Sequence, residues 1–179
     1  MHITRWLTLS AALLVCSCLF SGPASAADSD IASRVRTIVS GIVSYTRWPQ
    51  QQAMPKLCIF STSLYSSTLA RESRSNDAVP YHPQLVHSSD EALLSECDGI
   101  YFGKESPQQQ LQLIEKYKSR PLLLIAEQNS QCTIGSSFCM NINSDRVSFS
   151  VNLDSLARSG VRVSPDVLLL ARTRNNNHE

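Results

Sequence analysis

Along this chain, apolar positions recur first at helical spacing and then in short strand-like runs. Ile31, Val35, Ile38, Val39, Ile42 and Val43 follow one another at steps of three and four, which paints a single apolar stripe on a helix. Asp28 or Ser29 stands where an N-cap belongs. Trp48-Pro49 ends the pattern, because the residue before a proline is driven out of helical backbone, so the helix is expected to run to about Tyr45.

Lys56 to Phe60 is an apolar run between Pro55 and the Ser61-Thr62-Ser63 cluster, the profile of a buried strand that leads into a capped helix anchored by Leu64 and Leu69. Gln84 to His87 is a second strand candidate. Ser88-Ser89-Asp90-Glu91 ahead of Ala92-Leu93-Leu94 brings caps and acids to the first turn of another helix. Asp98-Gly99 closes that helix, and Ile100 to Phe102 opens a third strand. Ser106-Pro107 starts the next helix, with Leu111, Ile114 and Tyr117 as its inner face. Leu122 to Ala126 is apolar throughout, as a strand covered on both faces is.

Beyond Glu127 the order changes. Phe138 to Ile142 and Val147 to Val151 flank the polar Asn143-Ser144-Asp145 turn and read as a hairpin. Asn152 can cap a helix that bears Leu153, Leu156 and Ala157 and ends at Gly160, and Ser164-Pro165-Asp166 starts a last helix through Leu170. Strands alternating with helices imply right-handed crossovers. The expected fold is therefore α/β, a three-layer sandwich with a mainly parallel sheet flanked by helices and a late antiparallel hairpin. No internal repeat or linker divides it.

Upstream of the first helix the pattern is different. Arg5 is the only charged side chain in the first six residues, Leu7 to Phe20 contain no acid or base, and Ser21-Gly22-Pro23 lead to Ala24-Ser25-Ala26. That order describes a cleavable export signal, residues 1–26, with cleavage before Ala27 and a single domain from 27 to 179. The apolar run is short for a membrane anchor, and Val15 stands before Cys16 where a lipoprotein signal places a small residue. The expected address is an oxidising compartment outside the cytoplasm.

Removing the signal takes away Arg5 and leaves 15 basic against 15 acidic residues. A neutral mixed surface offers no counterion-releasing cluster for nucleic acid. Cys58, Cys97, Cys132 and Cys139 remain, and four cysteines in an oxidising compartment read as two disulfides. Of three possible pairings, Cys132 with Cys139 closes easily across the turn at Gly135, and Cys58 with Cys97 follows. In the chain-entropy model the short loop is worth roughly 2.5 kcal/mol and the long one roughly 4. Neither pair has the spacing of a zinc site.

Little in the chain speaks for catalysis. No glycine-rich phosphate cradle, GxSxG turn or HExxH helix is present. His82 and His87 are expected on opposite faces of a strand, too far apart in direction to share a metal. Asp98, Glu105 and Glu127 fall near the carboxyl ends of expected strands, where open α/β sheets place ligand groups, yet they read best as solvated carboxylates. In Ser44-Tyr45-Thr46-Arg47-Trp48-Pro49 two aromatics surround an arginine, a core plug with a snorkelling arginine or, alternatively, a partner site. Leu153, Leu156, Val163, Pro165 and Leu168 straddle the Gly160 turn. Two short helices meeting at a glycine can leave an apolar groove that accepts an aromatic anchor from a partner, or they can be ordinary core.

Val39 to Pro49, Leu57-Cys58-Ile59-Phe60, Leu123-Leu124-Ile125-Ala126-Glu127, Val151-Asn152-Leu153-Asp154 and Ser159-Gly160-Val161 together resemble the YfiR-like family of periplasmic repressors. The resemblance runs through essentially the whole chain after the signal. It implies a negative regulator without catalytic residues or cofactor. Such a protein binds the periplasmic region of a YfiN-like inner-membrane diguanylate cyclase, which lowers cyclic di-GMP and biofilm formation. A YfiB-like outer-membrane lipoprotein sequesters it under envelope or redox stress. It also implies a homodimer, bridges Cys58–Cys97 and Cys132–Cys139 whose state governs stability and activity, and Leu153, Leu156, Val163, Pro165 and Leu168 as the pocket for the lipoprotein. A periplasmic small-molecule-binding sensor is the alternative, and an envelope enzyme is a third reading.

Overall fold

A computed structural model describes residues 24–49, 53–71, 78–117 and 120–172. The expected export signal lies outside them except for its last three residues. Helix α1 spans Ala24–Ser44, so Asp28 and Ser29 sit within it and not at its N-cap. The chain then makes a two-residue strand β1, Thr46–Arg47, followed by β2 (Lys56–Phe60), α2 (Ser66–Leu69), β3 (His82–Val86), α3 (Ser89–Leu94), β4 (Gly99–Phe102) and α4 (Pro107–Lys116). After β5 (Leu123–Ala126) come the hairpin strands β6 (Phe138–Ile142) and β7 (Val147–Val151), helix α5 (Leu153–Arg158), and strand β8 (Arg162–Val163). A 3-10 turn, Pro165–Leu168, then runs into α6, Leu169–Arg172.

The main sheet has the order β3-β2-β4-β5-β6-β7, parallel from β3 to β6 and antiparallel at β7. Side chains alternate along each strand, and the alternation divides the core in two. Leu57, Ile59, Tyr101, Leu123, Ile125, Phe138 and Met140 face α1, whose whole expected stripe is buried with them. Cys58, Phe60, Ile100, Phe102, Leu124 and Ala126 face α3 and α4. The result is the expected three-layer α/β sandwich.

Several local expectations shift. Strand β3 begins two residues earlier than expected and ends one earlier, which leaves His87 outside, its Nδ1 3.0 Å from Ser61 Oγ. Leu64 anchors nothing: it precedes α2 and is 69% exposed, while Leu69 is fully buried. Helix α4 has its expected cap, Ser106, with Gln109 completing a capping box. Its inner face carries the expected Ile114 and Tyr117 together with Gln110 and Leu113, which the sequence did not mark, while Leu111 is only half-buried. Buried Gln110 is satisfied by the loop before β6 and by the turn before its own helix. Its Oε1 accepts from Ser136 N (3.1 Å) and Ser136 Oγ (2.9 Å), and its Nε2 donates to the Glu105 carbonyl (2.9 Å).

Two short strands carry no pattern in the sequence. β1 pairs with β8 antiparallel, Thr46 opposite Val163, which ties the end of α1 to the chain after α5. Tyr45 and Trp48 pack on the larger core, and Trp48 Nε1 donates to the Asp98 carbonyl at 2.8 Å. Arg47 gives its guanidinium to the Ser44 and Thr46 carbonyls. This segment is thus a core plug with an outward arginine.

Candidate functional site

Asn152 caps α5 by accepting from Ser155 N at 3.0 Å, and Gly160, at φ 74°, reverses the chain after it. Ser164 caps the following 3-10 turn and Pro165 begins it. These signals fix the backbone around the five residues singled out from the sequence. Leu156 and Val163 are half-buried against the larger core. Leu153 is 74% exposed, Leu168 49%, and Pro165 is exposed beside them in sequence. Leu169, which no sequence signal marks out, is 55% exposed. Val163 also lines a cleft of about 500 Å³ with Tyr45, Arg47, Arg162, Ser164 and Asp166. Leucines that face water on capped, well-tied backbone are the informative kind of exposure, since burying each would contribute about 2 kcal/mol.

The carboxylates behave differently from expectation. Asp98 lies at the amino end of β4, and its Oδ2 accepts from Lys56 N at 2.8 Å. It belongs to the opposite edge of the sheet from the one where ligands are usually held. Glu105 is bonded to Thr62 Oγ1 (2.7 Å) and Gly103 N (2.7 Å). Glu127 is not solvated: it is 7% exposed and accepts from Ser63 Oγ (2.5 Å), Leu64 N (3.0 Å) and Tyr101 Oη (3.2 Å). A Cβ at Gly103 would lie 2.2 Å from Ser63 N. The loops after β2 and β4 are therefore in backbone contact at the point where the strand order reverses, and the crevice expected there is closed by the protein's own groups.

Burial, and then the charge of Glu127, hold the Tyr101 phenol well above its ordinary value of 10.0. Burial and the same carboxylate raise Tyr65. Both phenols stay protonated, donors and not bases, across any physiological pH.

Cys58 is bonded to Cys97 and Cys132 to Cys139. The first bridge is fully buried in the smaller core. The second closes the loop that joins β5 to β6 without a helix, and Cys132 is partly exposed with φ 49°. Inside that loop, Ser155 Oγ donates to the Gly135 carbonyl at 2.6 Å and Asn152 N donates to the Ser137 carbonyl at 2.9 Å. The bridged loop is thereby bonded directly to the start of α5, the helix that carries Leu153.

Two bridges fit an oxidising compartment, and among the described residues no helix is long and apolar enough to cross a membrane. A family model described as YfiR/HmsC-like matches residues 33–172, a span that runs from within α1 to the end of α6. Proteins of that family are periplasmic regulators of diguanylate cyclase signalling, regulatory and not catalytic. The chain belongs to the YfiR/HmsC-like family.

Proposed function

We infer that this protein is exported to the periplasm by cleavage before Ala27. There it binds the periplasmic region of an inner-membrane diguanylate cyclase, holds it inactive and so lowers cyclic di-GMP and biofilm formation. It works by occupancy, with no catalytic step and no cofactor. An outer-membrane lipoprotein relieves the repression by sequestering it through Leu153, Leu156, Val163, Pro165 and Leu168. The repressor acts as a homodimer, and reduction of a disulfide is a second route of relief.

The observation that carries this reading is the exposure of Leu153 and Leu168 on either side of the Gly160 turn, in a chain of a regulatory family. An exposed apolar surface held on rigid backbone loses little entropy on binding, which favours a partner site. Deleting the gene should raise cyclic di-GMP, and an unchanged level would end the repressor reading. Leu168→Arg, a substitution at an exposed position, should abolish capture by the lipoprotein in a pull-down while the thermal midpoint stays put. Full capture by the folded variant would remove the leucines from the lipoprotein site.

A further inference from the structure

Beyond β5 and β6, at the carboxyl edge of the sheet, an open cleft of about 710 Å³ takes the place of the closed crevice. Leu64 and Tyr65 from the loop after β2, Glu127 and Gln128 from the end of β5, and Asn141 and Asn143 from the hairpin are among the residues that line it. Among the described residues no Lys, Arg or His lines it, and Glu127 is its one charged group. That carboxylate already accepts three hydrogen bonds through both oxygens. An anion would therefore meet no cation, and a cation would have to compete for a carboxylate that is nearly buried and engaged.

The polar capacity that remains is neutral. Asn141 spends its Nδ2 on Ser150 Oγ (3.0 Å) and keeps its Oδ1, and Gln128 and Asn143 are exposed, their carboxamides making no hydrogen bond among the described residues. A carboxamide offers an acceptor and two donors side by side, which suits neighbouring hydroxyls or an amide on a ligand. The half-buried Tyr65 ring adds an apolar face with a polar rim. Pockets of this size hold one small molecule and orient it by a few such groups.

We propose that this cleft binds an uncharged saccharide, with Gln128, Asn141 and Asn143 reading hydroxyl or acetamido groups and Tyr65 covering one ring face. The Glu127 contacts to Ser63 and Leu64 hold the Tyr65 wall in place before the ligand arrives. The site is separate from the leucines around Gly160, so it stands whether or not those leucines capture a partner.

The test is an NMR titration of the purified full-length mature protein with N-acetylglucosamine, glucosamine and glucose 6-phosphate, which carry neutral, cationic and anionic groups on one ring type. N-acetylglucosamine should give saturable shifts at the side-chain amides of Gln128, Asn141 and Asn143, and the two charged sugars should bind more weakly. Gln128→Ala with Asn143→Ala, both at exposed positions, should weaken binding by about tenfold, the loss of two ordinary hydrogen bonds. Leu94→Ala, at an exposed position on α3, should change nothing. Absence of saturable shifts, equal binding of a charged sugar, or wild-type affinity in the double variant would each overturn the proposal.

Discussion

The two disulfides sit in opposite circumstances. Cys58–Cys97 closes the longer loop, 39 residues in separation, and joins elements that the sheet already holds: Cys58 is paired with Gln84 on one side and Ile100 on the other. Cys132–Cys139 spans 7 residues and shapes a crossover that has no helix of its own. Chain entropy favours the first bridge by about 1.5 kcal/mol. The second, however, shapes the loop whose bonds reach α4 and α5: Gln110 with Ser136, Ser155 with Gly135, and Asn152 with Ser137. At about 1 kcal/mol each, three such hydrogen-bonded links outweigh the entropy difference. A bridge's value depends on what else holds the same residues.

The largest effect is therefore expected from the shorter bridge. Cys132→Ala with Cys139→Ala should cost about 5 kcal/mol in urea unfolding, from loop entropy and from the hydrogen bonds to α4 and α5 that loosen with the loop. Hydrogen exchange should quicken in α5 before it does in β4. Cys58→Ala with Cys97→Ala should cost at most about 4 kcal/mol and leave α5 protection unchanged. The reverse ranking would show that the hydrogen bonds survive without the covalent link.

A smaller change sharpens the same comparison. Ser155→Ala removes the 2.6 Å bond to the Gly135 carbonyl and should cost about 1–2 kcal/mol, read from the shift in urea midpoint. In the background lacking the shorter bridge its cost should shrink, because the loop it fastens is already loose.

The smallest effect comes from pH, at one phenol beside the buried bridge and one in the larger core. Tyr117 donates to the Ala92 carbonyl at 2.6 Å, and Cys97 Sγ contacts the same oxygen. Burial is the main cause that raises Tyr117 above 10.0, and Tyr101 is raised further. Below pH 10 folded and unfolded chains both keep these protons. Above it the unfolded chain loses them first, so the native state binds more protons and stability falls as pH rises towards the folded values. Urea midpoints should drop between pH 9 and pH 11, and less so in Tyr101→Phe and Tyr117→Phe. A flat profile in the wild type would show that neither phenol is withheld from solvent.

Elements with a local cause were legible in the sequence. The α1 stripe, the buried strands β2, β4 and β5, the Ser106 and Asn152 caps, the hairpin and the fold class all follow from periodicity and capping chemistry within a dozen residues. So do the Gly160 turn and the Ser164 cap, since a glycine between two short apolar segments is itself a local signal. What depended on distant neighbours was not legible. Strands β1 and β8 are two residues each and exist only through pairing with each other. Gln110 can lie buried on α4 because Ser136 satisfies it. Whether a carboxylate is buried or solvated is decided by donors 63 and 64 residues away in the chain, as at Glu127. The sequence by itself determined the first helix, the buried central strands, the hairpin and the caps. Only the tertiary structure decided which polar groups are spent on holding loops together, because a hydrogen bond between distant segments leaves no period in the chain.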